Sequence, residues 1–323
     1  MIRAILFLAT FALVALGSKQ QPIVGGSPKR IVAVGDFHGD MPQVKKVLRM
    51  AGIVDKDLQW VGGDASFVHT GDVVDRGPDT IQLFQLLQRL YNESQNPTAT
   101  HSVYPLLGNH EIMNLSGDLR YVTEEDYASF GGRNQRKQAW SESGWIGKLL
   151  MNTLSNVTLE LDGTVFVHGG ITPDWARLGV DGMNKQVRDA MQRKSWRDPI
   201  FGGDGPFWYR GYALDREAVV CKELKKALKY LGAKRMVIGH TPQYENGQIL
   251  SRCNGSVFVI DVGISSAYGA NCAALEIVGD TVTALYCING KPDQARRVDL
   301  TPKRSNVQGR LRLVRIIVLL QIS

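Results

Sequence analysis

The sequence predicts an α/β fold in which strands and helices alternate, and three observations lead there. Short apolar, β-branched runs recur along the chain, bounded by glycines and too short for buried helices. Segments with a helical period lie between several of them. Five of the runs end in a glycine-flanked cluster of Asp, Asn or His, the placement expected of ligand groups at the carboxyl ends of strands.

The chain opens on Met1-Ile2-Arg3, an apolar run from Ala4 to Leu16, and Gly17-Ser18-Lys19. This pattern predicts a secretory signal peptide over residues 1–17, because the run is shorter than the roughly 20 residues a membrane span needs. Residues 18–29, with Gly25-Gly26-Ser27-Pro28, read as a connecting segment. A catalytic domain is then expected over residues 30–290, and a basic tail over 291–323. Strands are predicted at Ile31–Val34, Ser66–His69, Val103–Leu107, Val165–Val167, Met236–Ile238 and Val257–Ile260.

Two helices stand out. Thr80–Glu93 carries Ile81, Phe84, Leu87 and Leu90 three residues apart, started by Pro78 and Asp79. Asp215–Leu231 sets Val219, Val220, Leu224, Ala227, Leu228 and Leu231 against a row of Lys222, Lys225, Lys226 and Lys229 that reads as a solvated face. The last twenty residues interrupt an apolar stretch with basic side chains, which suits a surface helix or a disordered tail and not a membrane span.

The formal charge of +7 is concentrated at the ends. Removing Arg3, Lys303, Arg304, Arg310, Arg312 and Arg315 leaves +1, so nucleic acid is not the expected partner. The four cysteines, Cys221, Cys253, Cys272 and Cys287, lack CxxC spacing and allow three disulfide pairings on a secretory route. Sequons at Asn92, Asn114, Asn156 and Asn254 support that route mildly. The expected location is the secretory pathway or the extracellular space.

The chemistry lies in the strand-end clusters: Gly35-Asp36-Phe37-His38-Gly39, Gly71-Asp72-Val73-Val74-Asp75-Arg76-Gly77, Gly108-Asn109-His110-Glu111, His168-Gly169-Gly170 and Gly239-His240-Thr241. Alternation along an extended chain puts Asp36 and His38 on one side, in reach of one metal. Any one cluster alone reads more readily as a turn or a capped helix start. Five at strand ends together predict a metal site. Oxygen and imidazole donors without sulfur suit manganese, iron or zinc. Six donors exceed what one open catalytic ion uses, and a pair of divalent or trivalent ions about 3.5–4 Å apart accommodates them and favours in-line displacement at phosphorus. Two such cations make hydroxide available from a shared water near neutral pH, so phosphoester hydrolysis by direct attack of a bridging hydroxide is the leading chemistry.

In this order the five motifs, spanning residues 35–241, resemble those of the phosphoprotein phosphatase family of metallophosphoesterases. Gly108-Asn109-His110-Glu111 followed by Ile112-Met113-Asn114-Leu115-Ser116-Gly117-Asp118-Leu119-Arg120-Tyr121-Val122 is similar to the Shewanella-like phosphatase branch. The resemblance implies a calcineurin-like β-sandwich of two mixed sheets flanked by helices. It also implies that Asp36, His38 and Asp72 hold one ion, while Asp72 as bridge, Asn109, His168 and His240 hold the other. His110 is then free to protonate the leaving oxygen, with Asp75 orienting its imidazole. Arg76 offers a planar fork for phosphate, Asn109 lies beside it, and the resemblance asks for a second arginine, for which Arg210 is the candidate. A surface role for Arg210 is the competing reading.

His69 reads as a packed core histidine, and Phe207, Trp208, Tyr209 and Tyr212 as either a cleft wall or core. Where eukaryotic serine/threonine phosphatases of this type carry Ser-Ala-Pro-Asn-Tyr-Cys, this chain has Ile264-Ser265-Ser266-Ala267-Tyr268-Gly269, which puts toxin sensitivity in doubt. The expected substrate is a phosphorylated protein or peptide, phosphotyrosine included. The rival readings are a diadenosine tetraphosphate hydrolase and an inactive secreted binding protein; the intact ligand set speaks against the second.

Overall fold

The computed structural model describes residues 29–302, the side chain of Asp293 excepted. The expected signal peptide, nearly all of the expected connecting segment and the residues beyond 302 lie outside the described residues. Among the described residues eleven strands form two mixed sheets flanked by helices: β1 (Arg30–Val34), β2 (Ser66–His69), β3 (Ser102–Pro105), β4 (Thr158–Leu161), β5 (Thr164–Val167), β6 (Arg235–Ile238), β7 (Leu250–Arg252), β8 (Val257–Val259), β9 (Ala273–Val278), β10 (Thr281–Ile288) and β11 (Lys291–Asp299). One sheet runs β11-β10-β9-β1-β2-β3 and the other β4-β5-β6-β8-β7.

Parallel pairing is confined to two blocks, β1-β2-β3 in the first sheet and β5-β6-β8 in the second. Strands β2, β5, β6 and β8 are buried at every position, as is β1 from Ile31 to Val34. Burial on both faces explains why these strands read as unbroken apolar runs. One hydrophobic core joins the two sheets, with Val32, Val34 and Phe67 from the first and Phe166, Val237 and Phe258 from the second.

The helix Met41–Met50 starts where the Asp40 carboxylate accepts the Gln43 N–H, with proline in its first turn. The helix Thr80–Ser94 buries Leu83, Phe84, Leu86, Leu87 and Leu90, a stripe shifted from the expected one so that Ile81 lies at its edge. The helix Glu217–Leu231 buries Val220, Leu224, Ala227 and Leu228 and ends on Gly232 in the left-handed region. Its four lysines are exposed, as expected of a solvated face.

The expected domain boundary at residue 290 is corrected. Residues 291–299, read from sequence as the start of a basic tail, form β11 and pair antiparallel with β10. Within this strand Arg296 lies over the Tyr286 ring and Arg297 pairs with Glu276 of β9. The disulfides are Cys221–Cys253 and Cys272–Cys287. No helix among the described residues is long and apolar enough to cross a membrane.

Candidate metal centre

Each of the six parallel strands delivers an acid, amide or imidazole just past its carboxyl end: Asp36 after β1, Asp72 after β2, Asn109 after β3, His168 after β5, His240 after β6 and Asp261 after β8. The connecting backbone is held in unusual conformations. His38, Asp72, Asp75, Arg76 and His240 all have φ between 47° and 70°, the left-handed region that costs a side-chain-bearing residue about 1–3 kcal/mol. Surrounding bonds hold them there. Glu111 accepts from the N–H groups of Gly108 (2.7 Å), Asp72 (2.9 Å) and Val73 (2.8 Å), tying the helix Asn109–Ser116 to the Asp72 loop. A Cβ on Gly108 would lie 2.1 Å from Asp72 Oδ1, and one on Gly239 would lie 2.5 Å from Asp36 Oδ1, so only glycine permits these approaches.

The six expected ligand residues converge. Asp72 is 2% exposed. Its Oδ1 accepts the His110 N–H at 2.9 Å, while its Oδ2 faces Nε2 of His168 at 3.4 Å and Nε2 of His38 and of His110 at 3.8 Å. Donor atoms of His38, Asp72 and His110 lie within 4.8 Å of one another, as do those of Asp72, His168 and His240, so Asp72 belongs to both groups. Asp36 Oδ2 is 3.9 Å from His38 Nε2, and both its oxygens accept the His240 N–H at 3.2 Å. Asn109 turns its Nδ2 toward Met113 Sδ and brings its Oδ1 to 2.8 Å from His168 Nε2.

The donor chemistry fits cations. His38 Nδ1 bonds the Val74 carbonyl (3.1 Å) and His168 Nδ1 the Thr70 carbonyl (2.9 Å). Carbonyls only accept, so the neutral rings carry their protons on Nδ1 and turn lone pairs on Nε2 inward. There they meet two further acceptors, Asp72 Oδ2 and Asn109 Oδ1, and His168 Nε2 also lies 3.2 Å from His240 Nδ1. His240 Nε2 is buried without a partner. Acceptors facing acceptors at these distances suit intervening cations.

The electrostatics agree. Burial, then the charges of Asp261 and Asp72, pushes the Asp36 carboxyl well above the usual range. Burial lowers His38 to about 4 and, with His168 and Arg210 adding to it, also depresses His240, favouring neutral, ligating imidazoles. Burial would raise Asp72, but His168, His110 and His38 outweigh it and hold this carboxylate well below its ordinary value. His110 goes the other way. Burial lowers it, yet Asp72 and then Asp75 more than offset that, and its pKa is raised.

His110 Nδ1 is 2.6 Å from Asp75 Oδ2. The exposed Arg76 lies with its guanidinium 4.0 Å from the Tyr121 ring centroid and 5.4 Å from that of Tyr268. Arg210 Nη1 donates to the His240 carbonyl at 2.7 Å, so it stands against the last metal motif and not on open surface. His69 is a fully buried core histidine, its ring 3.9 Å from Phe37. Of the aromatic group, Phe207 and Tyr212 are core and Trp208 packs perpendicular to the His240 ring.

Sequence reasoning missed the placement of five residues. Asp261, buried beside Asp36 and raised to about 6 by burial, follows β8 as Asp261-Val262-Gly263, a signal of the same form as the other five. Tyr121 and Tyr268 carried no chemical mark, and Tyr268 comes to the site because Asp40 Oδ2 accepts the Ser266 N–H at 2.7 Å. Asn114 was read as a sequon, but it is 5% exposed and its Nδ2 is bonded to the His110 carbonyl and Asp75. Arg136 had no motif at all.

A profile of the calcineurin-like phosphoesterases matches residues 29–244. An uncharacterized protein of Schizosaccharomyces pombe is 38% identical over 262 residues, covering 77% of each chain. Shewanella-like protein phosphatase 2 of Arabidopsis thaliana is 30% identical over 286 residues, covering 74% of this chain and 72% of that one. Among solved structures, the cold-active protein-tyrosine phosphatase of a psychrophile Shewanella species aligns with a TM-score of 0.70 at 27% identity, over 84% of this chain and 80% of that one. These likenesses show that the chain belongs to the calcineurin-like metallophosphoesterases and, within them, to the Shewanella-like protein phosphatases.

Proposed function

We propose that this chain is a metal-dependent phosphoprotein phosphatase that hydrolyses phosphomonoesters, with phosphotyrosine as its first substrate class and phosphoserine or phosphothreonine beside it. The observation that carries the reading is Asp72, shared by both donor groups and backed by the His110–Asp75 pair. Asp36, His38 and Asp72 would hold one ion, and Asp72, Asn109, His168 and His240 the other; this donor set favours manganese, iron or zinc. When bound, the pair supplies hydroxide near neutral pH and neutralises phosphate oxygens.

The chain's own residues do the rest. Asp75 accepts from His110 Nδ1, fixing the ring and favouring the imidazolium, so that Nε2 delivers a proton to the departing oxygen. Arg76 directs a planar fork at phosphate, steadied by the Tyr121 face. Arg210 adds positive charge beside His240. Tyr121 and Tyr268 flank Arg76, and this aromatic wall supports a phenolic ester in the cleft. The two disulfides support an oxidising compartment, and the proposal includes a secretory location where phosphorylated proteins or peptides are the partners.

The test is turnover by purified protein with manganese against a phosphotyrosine peptide, a phosphoserine peptide and diadenosine tetraphosphate. The phosphotyrosine peptide is expected to be hydrolysed fastest. Turnover of the dinucleotide alone would overturn the reading.

A further inference from the structure

Behind Asp75 lies a chain of buried polar groups that leaves the metal centre altogether. Asn114, one turn along the helix from His110, donates from Nδ2 to the His110 carbonyl at 2.9 Å and lies 3.1 Å from both Asp75 oxygens. Its Oδ1 accepts from Arg136 Nη2 at 2.8 Å. A guanidinium only donates, so this bond fixes the amide's orientation and commits its NH2 group to the carboxylate. Arg136 is 1% exposed and is itself held by Nε donating to Asp126 Oδ2 at 2.7 Å. Its Nη2 lies 3.9 Å from Asp75 Oδ1, and the rings of Tyr127, Phe130 and Trp140 surround the guanidinium at 5.2–5.6 Å.

A buried guanidinium costs free energy unless it is fully paired. Both Asp126 and Arg136 come from short helices after the Gly-Asn-His-Glu motif, Glu124–Ser129 and Arg133–Trp140, which give the centre no expected ligand. The arginine is directed back through Asn114 at the carboxylate that orients His110.

We propose that Arg136 is a positioning residue: acting through Asn114, it fixes the Asp75 carboxylate and so holds the His110 imidazole in line with the departing oxygen. The inference rests on the reading of His110 as the acid. A group that positions an acid matters most when the leaving oxygen needs its proton, and least when the departing anion is already stable. A purely structural arginine affects all substrates alike.

The experiment is kcat/KM with manganese on phenyl phosphate, a poor leaving group, and on 2,4-dinitrophenyl phosphate, a good one. Four variants are compared with the parent chain: Asp75→Asn, Arg136→Lys, Asn114→Ala, and Arg136→Met with Asp126→Leu, which removes the buried pair together and strands no charge. Folding and metal content are checked by thermal melting and metal analysis. The Arg136→Met/Asp126→Leu and Asn114→Ala variants are expected to lose about ten- to hundredfold on phenyl phosphate and under about threefold on the dinitrophenyl ester, with Arg136→Lys recovering part of the loss. If the paired variant fails to fold, Asn114→Ala carries the comparison. Equal losses on both esters, while Asp75→Asn steepens the dependence, would overturn the positioning role alone. If Asp75→Asn also leaves the dependence unchanged, the acid reading of His110 falls, and this inference with it.

Discussion

Asp72 and His110 carry the residue-scale predictions, because Asp72 is shared by two donor groups and His110, a member of one of them, is bonded through Nδ1 to Asp75. Asp72→Asn keeps the shape but removes the charge that meets three imidazoles, and it is expected to abolish metal retention and hydrolysis together, read by metal analysis and turnover. Asp75→Asn is expected to lower kcat by about 10²–10⁴ on poor leaving groups. It also removes one of the carboxylate charges, after that of Asp72, that raise the His110 pKa. Raised folded pKa means the imidazolium persists to higher pH and is lost as pH rises through it, so the alkaline limb of the kcat–pH profile should move to lower pH in the variant. The candidate ligands were legible in the sequence because each bears its own chemical mark, an acid, amide or imidazole next to glycine. Asn114 and Arg136 were not, since their role depends on partners up to 39 positions away.

At the scale of elements, the parallel strands were legible and the antiparallel ones were not. Burial on both faces wrote β1, β2, β5, β6 and β8 as apolar runs, whereas β10 mixes Thr, Tyr and Cys with its apolar residues. The turns did carry a signal. Asp162-Gly163 between β4 and β5 and Asn289-Gly290 between β10 and β11 are two-residue hairpin loops with both φ positive, the strongest short-range hairpin pattern. The second of these contradicts a tail beginning at 291. A chain ending at residue 290 is therefore expected to melt at least about 5 °C lower than one ending at 302, whereas a dispensable tail would leave the melt unchanged. Glu276 of β9 reports the same packing. Burial would raise its pKa, but Arg30 and Arg297 outweigh it and hold it low. A depressed carboxyl stabilises above its unfolded pKa and loses that contribution as pH falls through the folded value, so melting should drop below about pH 4 and Glu276→Gln should flatten the drop.

For the whole molecule, two sheets bring six parallel strand ends to one centre, and the architecture alone explains why donors 204 residues apart meet. The six end residues that account for most of the excess charge, Arg3, Lys303, Arg304, Arg310, Arg312 and Arg315, lie beyond the described residues. Cys221–Cys253 closes a loop of sequence separation 32. Replacing both cysteines with serine is expected to cost about 2–4 kcal/mol in urea unfolding. The most direct test of the shared-carboxylate centre is metal content and phosphotyrosine-peptide hydrolysis measured on the same preparations of the parent chain and Asp72→Asn. About two manganese ions per chain with turnover in the parent, and the loss of both in the variant, is the predicted result. An Asp72→Asn protein that keeps its metal and its activity would contradict it.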